Sequence, residues 1–168
     1  MTSTPSLGDV VAIVHGRYDP ATAEDWDAVG LVCGDPAAPV RRILVAVDAV
    51  EATVNEALID VGVDLLLTHH PLLLHPVSSV AATTPAGRTV HRLVVGGCAL
   101  LAAHTNADVA REGVNDALAA ALGLTATAPP ESCEIVRVFR VSGGPVPRSL
   151  WRRALRRYPA AWEERHGH

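Results

Sequence analysis

The stretch LLLTHHPLLLHP, residues 65–76, sets the architecture that the rest of the chain must fit, because a run of leucines ends in two histidines and a proline. Short apolar runs bounded by turn residues are typical of strands buried on both faces of a parallel sheet. Similar runs occur at RRILVAVD, residues 41–48, and CALLAAH, residues 98–104. We therefore predict three parallel strands, with His69 and His70 presented where the second strand ends.

Segments with a helical pattern separate these strands. They cover residues 7–15, 51–61, 88–95 and 112–122, with a loop at 83–87 and a brief extra strand at 29–33. Strands and helices that alternate with short joins are typical of right-handed βαβ units. The predicted fold class is α/β, a three-layer arrangement in which helices flank a parallel-type sheet.

Composition agrees with that class. Among 168 residues, 49% are hydrophobic but only 4% are aromatic, so Ala, Val and Leu must form the core. The three cysteines lack a CxxC spacing and indicate reduced thiols. The amino terminus shows no targeting pattern, and no apolar window has the length of a membrane span. We expect a soluble, cytoplasmic protein with no membrane partner.

Charge divides the chain unevenly. Residues 1–136 hold six arginines and sixteen acids, whereas residues 137–168 hold eight arginines and two acids. Residues 135–144, IVRVFRVSGG, alternate like a half-exposed strand, and a following helical pattern stacks Arg152 with Arg156 and Arg153 with Arg157. We predict an α/β domain over residues 1–128 and a basic tail over residues 129–168. Nucleic acid is not an expected partner, because the tail lacks interleaved aromatic residues.

Side chains able to bind metal or transfer protons follow all three predicted parallel strands. Ligands of open parallel sheets bind beyond the carboxyl ends of the strands, where these side chains should meet. Imidazole and carboxylate without thiolate suit a catalytic metal better than a structural zinc site. Pro71 keeps the preceding residue extended, which allows both adjacent histidines to turn toward the crevice. The residues concerned are Asp48, His69, His70, His104 and Asp108.

A structural interpretation of the same residues remains open. The histidine pair could cap backbone groups, HTNAD (residues 104–108) could be a turn followed by a helix cap, and Asp48 could cap the next helix. His15, His75 and His91 are interpreted as ordinary histidines, and His166 and His168 as chance occurrences near the terminus. No phosphate-binding loop, dinucleotide fingerprint or nucleophile motif is present.

Four motifs give the chain a family resemblance. WDAVGLVCGDP (residues 26–36), VAVDAV (45–50), LLLTHHPLLLHP and AAHTNADVAREGVNDALAAALGL (102–124) occur in this order. In order and spacing they resemble the amino-terminal half of the Nif-three-like dinuclear metal-centre proteins, also known as GTP cyclohydrolase I type 2 homologues or YbgI-like proteins. The resemblance covers about residues 5–125.

The resemblance implies that the α/β domain is the first half of a two-lobed family fold that assembles into a homo-oligomer, a ring-like hexamer. It implies metal ligation by His69, His70 and Asp108, with His104 as a catalytic, proton-transferring group close to the site. The implied cofactors are divalent metal ions (Zn, Fe, Mn or Ni), one or two per chain. The implied activity is hydrolysis of a small nucleotide-like substrate, as in a GTP cyclohydrolase.

The sequence departs from the family pattern at several points. Ala28 stands where the family usually has asparagine, and Val50 where it usually has threonine. The histidine and glutamate that complete the family's two-metal site have no matching motif after about residue 125. We expect a truncated or frame-altered member that binds metal weakly or as a single ion and has an incomplete site. The alternatives are a non-catalytic metal-binding or regulatory module and an inactive fragment.

Overall fold

The computed structural model describes residues 4–126 and 139–141. The chain divides into two compact units, Met1–Val114 and Asn115–His168, and all the predicted site residues belong to the first unit. The helical elements of the first unit are α1 (Leu7–Arg17), a 3-10 turn (Pro20–Thr22), α2 (Glu51–Asn55, continued as a π-helix over Glu56–Val61), α3 (Pro85–Val95) and α4 (Thr105–Val109). Helix α5 (Val114–Ala121) belongs to the second unit except for its first residue. The strands are β1 (Gly30–Cys33), β2 (Ile43–Ala46), β3 (Leu65–Thr68), β4 (Ala99–Ala102), β5 (Leu124–Ala126) and β6 (Phe139–Val141).

The main sheet has four strands in the order β1-β4-β3-β2. Strands β2, β3 and β4 are parallel, and Leu66 pairs with Leu44 on one side and with Leu100 on the other. This confirms the predicted α/β class and its three parallel strands. The brief strand β1 is an antiparallel edge strand, so its first residue, Gly30, lies opposite Ala102 at the end of β4.

The two faces of this sheet carry separate apolar clusters, because successive strand residues point to opposite faces. Leu66 packs into the cluster that α2 and α3 cover, and its neighbour Leu65 packs into the cluster that α1 covers. Both leucines are fully buried. Burial of a leucine side chain contributes about 1.5–3 kcal/mol, so the LLL run anchors all three layers.

Helix α3 begins earlier than predicted, and its first residues explain why. Residues 83–87 are predicted as a loop, but α3 begins at Pro85. The Thr84 hydroxyl accepts a hydrogen bond from the backbone of Gly87 at 3.1 Å, and Pro85 at the first helical position has the φ angle that a helix needs. These two features add a turn to the predicted helix of residues 88–95.

The other predicted helices are found, and the helix predicted at residues 7–15 is α1, which extends to Arg17. The helix predicted at residues 51–61 is α2 with its π-helical continuation, and it ends at Gly62, whose φ is +62°. The helix predicted at residues 112–122 is the shorter α5. No helix in the described ranges combines the length and the apolar character that crossing a membrane requires.

Part of the predicted strand at residues 135–144 is described, as β6, which pairs antiparallel with β5. The predicted arginine stripe at residues 152–157 lies outside the described residues. So do His166 and His168.

Gly34 provides a test of the packing between the sheet and α1. Its φ is +130°, and a Cβ added there would lie 2.6 Å from the Ala99 Cβ and 2.9 Å from Leu7. We expect Gly34→Ala to lower the free energy of unfolding by about 2 kcal/mol or more, through backbone strain and overpacking. Chemical denaturation followed by circular dichroism measures this change.

Gly16 is the matched control, because it is exposed in α1 and an added Cβ would meet nothing within 4 Å. Gly16→Ala should raise stability by about 0.5–1 kcal/mol. Equal effects of the two substitutions would contradict the packing described for Gly34.

Candidate metal centre at the ends of the parallel strands

Backbone pairing continues beyond the ends of β2, β3 and β4. The amide of His69 donates to the Ala46 carbonyl at 3.1 Å, and the amide of His70 donates to the Val47 carbonyl at 2.9 Å. On the other side, the amide of Ala103 donates to the Thr68 carbonyl at 2.9 Å. These bonds align the carboxyl ends of the three strands with one another.

Three imidazole rings meet at the carboxyl ends of these strands. The ring centroids of His69 and His70 are 5.0 Å apart, those of His69 and His104 are 5.0 Å apart, and those of His70 and His104 are 5.4 Å apart. One ring nitrogen from each histidine lies within 4.8 Å of one from each of the others. The three histidines could therefore hold a metal ion.

A hydrogen bond fixes Nδ1 of every ring. His69 Nδ1 donates to the Ala103 carbonyl at 3.1 Å, His70 Nδ1 to the Asp48 carboxylate at 2.7 Å, and His104 Nδ1 to the Asp27 carboxylate at 3.0 Å. Carbonyl and carboxylate oxygens only accept, so Nδ1 carries the proton in each neutral ring. The lone pair is left on Nε2, as in histidines that ligate metals.

Asp27 is a buried carboxylate in this network, with a side chain that is 0% exposed. Its oxygens accept hydrogen bonds from the Thr105 amide at 3.0 Å, the Thr105 hydroxyl, and the Ala28 amide at 2.7 Å, besides the bond from His104. Burial alone would raise the pKa of Asp27, but these hydrogen bonds together hold it below its usual value. Asp27 therefore stays ionised and fixes the His104 ring.

Asp48 positions the His70 ring. The sequence leaves open whether this residue caps the next helix. In the structure, the residue preceding α2 is Val50, and it makes no side-chain capping bond. The Asp48 side chain, which is 41% exposed, instead accepts the bond from His70.

Asp108 lies beside the first ring. Its Oδ1 is 3.7 Å from His69 Nε2, the nitrogen that carries the lone pair. Burial lowers the pKa of His69, and although Asp108 opposes this effect, the pKa remains below the ordinary value. His69 is therefore neutral at physiological pH, as a metal ligand must be.

Asn106 anchors the turn that carries His104. Its side-chain oxygen accepts from the His104 amide at 2.9 Å, and its side-chain amide donates to the Tyr18 carbonyl at 2.8 Å. It is almost fully buried. The HTNAD motif thus leads into the short helix α4 and places His104 in the cluster. The helix cap that the sequence offers as an alternative is not formed, because His104, the residue before α4, makes no side-chain capping bond.

A cavity of about 460 Å³ adjoins the histidine cluster on the side of β1. Trp26, which is 56% exposed, lines it and makes an edge-to-face contact with His104 at 6.0 Å between centroids. Leu73 and His75 line it as well. His75, for which the sequence predicted no role, thus faces a space next to the site without joining the cluster.

The sequence did not identify Asp27, Trp26 or Thr105 as site residues. They precede β1 or follow His104, and only the antiparallel direction of β1 brings residues 26–27 to the edge where β4 ends. The sequence signal that could have indicated them is the pair Trp26-Asp27, which precedes the apolar strand β1. The division of ligand and proton-transfer roles among His69, His70, His104 and Asp108 stays a prediction.

Comparison with known proteins places these features in context. A family model described as Duf34/NIF3 (NGG1p interacting factor 3) matches residues 5–156. The match runs past residue 128, and where the predicted α/β domain ends stays a prediction.

Two curated relatives carry the name "GTP cyclohydrolase 1 type 2 homolog". The protein of Mycobacterium leprae is 52% identical over 122 residues, which cover 73% of this chain and 31% of the relative. The protein of Streptomyces coelicolor is 44% identical over 170 aligned positions, which cover 93% of this chain and 57% of the relative. The chain thus spans less than two thirds of the length of either relative.

Among solved structures, a Bacillus cereus protein related to NIF3 superposes with a TM-score of 0.69 at 35% identity. The superposition covers 77% of this chain and 36% of that protein. The fold described above is therefore shared with a solved relative.

The hydrogen bonds at Nδ1 predict one tautomer for all three rings. In the metal-free protein at about pH 8, where an ordinary imidazole is neutral, we expect His69, His70 and His104 to carry the proton on Nδ1. Long-range proton–nitrogen NMR correlation distinguishes the two tautomers, with the exposed His91 as a reference. A proton on Nε2 of any of the three rings would contradict the assigned hydrogen bonds.

The two carboxylates that hold histidines should differ in their contribution to stability. Asp27→Asn turns one buried acceptor into a donor that faces other donors. We therefore expect the free energy of unfolding to fall by about 1–3 kcal/mol. Asp48→Asn, at an exposed carboxylate, should cost less than about 1 kcal/mol. Thermal or urea unfolding measures both, and an equal or reversed order would show that the buried network is not as described.

Proposed function

We propose that this chain, which belongs to the Duf34/NIF3 family, binds a divalent metal ion at its histidine cluster and uses it to hydrolyse a nucleotide-like substrate. One observation carries the proposal: three imidazoles at neighbouring strand ends lie together, and each has its Nδ1 tied to a fixed acceptor. That arrangement leaves one lone pair per ring for a common ligand.

The residues present fit a metal ion. Nitrogens bound to one tetrahedral zinc ion lie about 3.3 Å apart, so the observed spacing of up to 4.8 Å needs only small ring movements. The Asp108 oxygen, 3.7 Å from His69 Nε2, is placed to serve as an oxygen ligand on the same side. This mixed nitrogen and oxygen donor set without thiolate suits Zn, Fe, Mn or Ni.

The chain's own residues orient the site and hold its protons. Asp48 and Asp27 keep the His70 and His104 rings turned with Nε2 away from their carboxylates, and the Ala103 carbonyl does the same for His69. Because the pKa of His69 is lowered, acid competes with the metal for this ring only below the ordinary range of histidine. A bound ion would supply Lewis-acid polarisation of a substrate oxygen and make water a stronger nucleophile.

The substrate class rests on the cavity beside the cluster and on the relatives. Trp26 offers an exposed aromatic face next to His104, against which a flat heterocyclic ring can pack. The name of the relatives, "GTP cyclohydrolase 1 type 2 homolog", fits a purine nucleotide. We therefore propose a GTP-like molecule as the substrate to test first.

Metal content tests the binding site directly. After reconstitution with zinc or manganese and removal of excess metal, elemental analysis should find about one ion per chain. His69→Ala and His104→Ala should each weaken binding by more than about 100-fold, because losing a ligand exceeds the 10–100-fold effect of losing its hydrogen-bond partner. Asp108→Ala tests the oxygen ligand in the same way.

His91→Ala is the matched control, because His91 is exposed on α3 and outside the cluster. Unchanged metal content in His69→Ala, or none in the wild type, would rule out the proposed site. GTP turnover with and without metal then tests the reaction. A protein that holds metal at these histidines but never consumes GTP would contradict the proposed substrate and leave the metal site standing.

A further inference from the structure

A second cavity, of about 510 Å³, lies beside the histidine cluster. Ala49 and Leu72 line it. Ala49 directly follows Asp48, the carboxylate that holds His70, and Leu72 is two residues beyond that histidine. The segment that carries His70 and the segment that carries Asp48 therefore both continue into the wall of this cavity.

Two arginines of α3 also line the cavity. Arg88 and Arg92 are four residues apart, so they project from the same face of the helix. Like charges at this spacing repel each other, and a bound anion would relieve that repulsion. The first turn of α3, with Pro85 and Ala86, lines the same cavity and adds the positive end of the helix dipole.

The hydrogen bonds of both arginines go to neutral groups. Arg88 donates to the Ala82 carbonyl at 3.1 Å, and Arg92 donates to the Asn55 side chain at 2.6 Å. Among the side chains that the structure describes, neither guanidinium lies within ion-pair distance of a carboxylate. Each guanidinium has five N–H donors in a planar fork, so both keep donors for an anion.

Glu51 is the acidic residue in the lining of this cavity. It lies at the start of α2. A single carboxylate against two guanidinium groups and a helix amino terminus leaves the balance of charge positive.

We infer that this cavity is an anion subsite that binds the phosphoryl group of the substrate. The inference rests on the proposed function, because it assigns one part of the same nucleotide-like molecule. The heterocycle packs near Trp26, and the phosphoryl group binds between Arg88 and Arg92, beside the starts of α2 and α3. Both cavities border the histidine cluster: Asp27 lines the first and holds His104. Ala49 lines the second and follows Asp48, which holds His70.

Titration of the full chain with inorganic pyrophosphate, followed by calorimetry, tests the subsite. Arg88→Gln should weaken pyrophosphate binding by at least about tenfold, because a charge-assisted hydrogen bond is lost, and Arg92→Gln should act in the same direction. Glu51→Gln should strengthen binding by about two- to fivefold, because a repelling charge is removed. Circular dichroism confirms that each variant is folded.

Arg41→Gln is the matched control, because this exposed arginine lies before the amino end of β2, whereas Ala49 and Leu72 of the cavity follow the carboxyl ends of the strands. It should change the affinity for pyrophosphate by less than about twofold. No binding by the wild type, equal weakening by Arg41→Gln and Arg88→Gln, or no effect of Arg88→Gln would each overturn the subsite.

The same samples are run with and without bound zinc, and their metal content is measured. Metal content in Arg88→Gln should equal that of the wild type. If the wild type binds pyrophosphate but no metal, the proposed metal function alone is refuted. If the wild type binds metal but no pyrophosphate, the subsite alone is refuted.

Discussion

The parallel pairing of β2, β3 and β4 is the constraint on which every other feature of this structure depends. It aligns Leu44, Leu66 and Leu100 across the sheet and therefore brings the ends of three strands to one level. A slip of one residue would exchange Leu65 and Leu66 between the two apolar clusters. Because both leucines are fully buried, the core fixes the register, and the register places the histidines.

The polar network at the site is stable because its members satisfy one another. A carboxylate as buried as Asp27 would be strongly unfavourable by itself. It is accommodated because Thr105, Ala28 and His104 all donate to it. The same bonds that offset desolvation also fix the His104 ring, so stability of the turn and orientation of the ring cannot be separated.

The two cavities beside the cluster differ in chemistry in a way that suits one molecule. The cavity near β1 presents the exposed aromatic ring of Trp26 beside apolar residues, together with His75 and the acidic residues Asp25 and Asp27. The cavity at the first turn of α3 presents Arg88 and Arg92. A nucleotide has an aromatic base at one end and an anionic phosphoryl group at the other, and the proposed hydrolytic centre borders both cavities. The metal site and the anion subsite thus concern one substrate but can be tested separately.

The sequence by itself determined the parallel sheet and the meeting of the histidines, because buried leucine runs ending in His69-His70 and in His104 allow few other arrangements. It could not determine the start of α3, where the Thr84 cap and Pro85 outweighed the loop pattern of residues 83–87. Nor could it reveal Asp27, which reaches His104 across 77 residues of chain. Only the tertiary structure decided that contact, since the direction of an edge strand depends on pairing with distant residues, whereas apolar periodicity is a local property of the sequence.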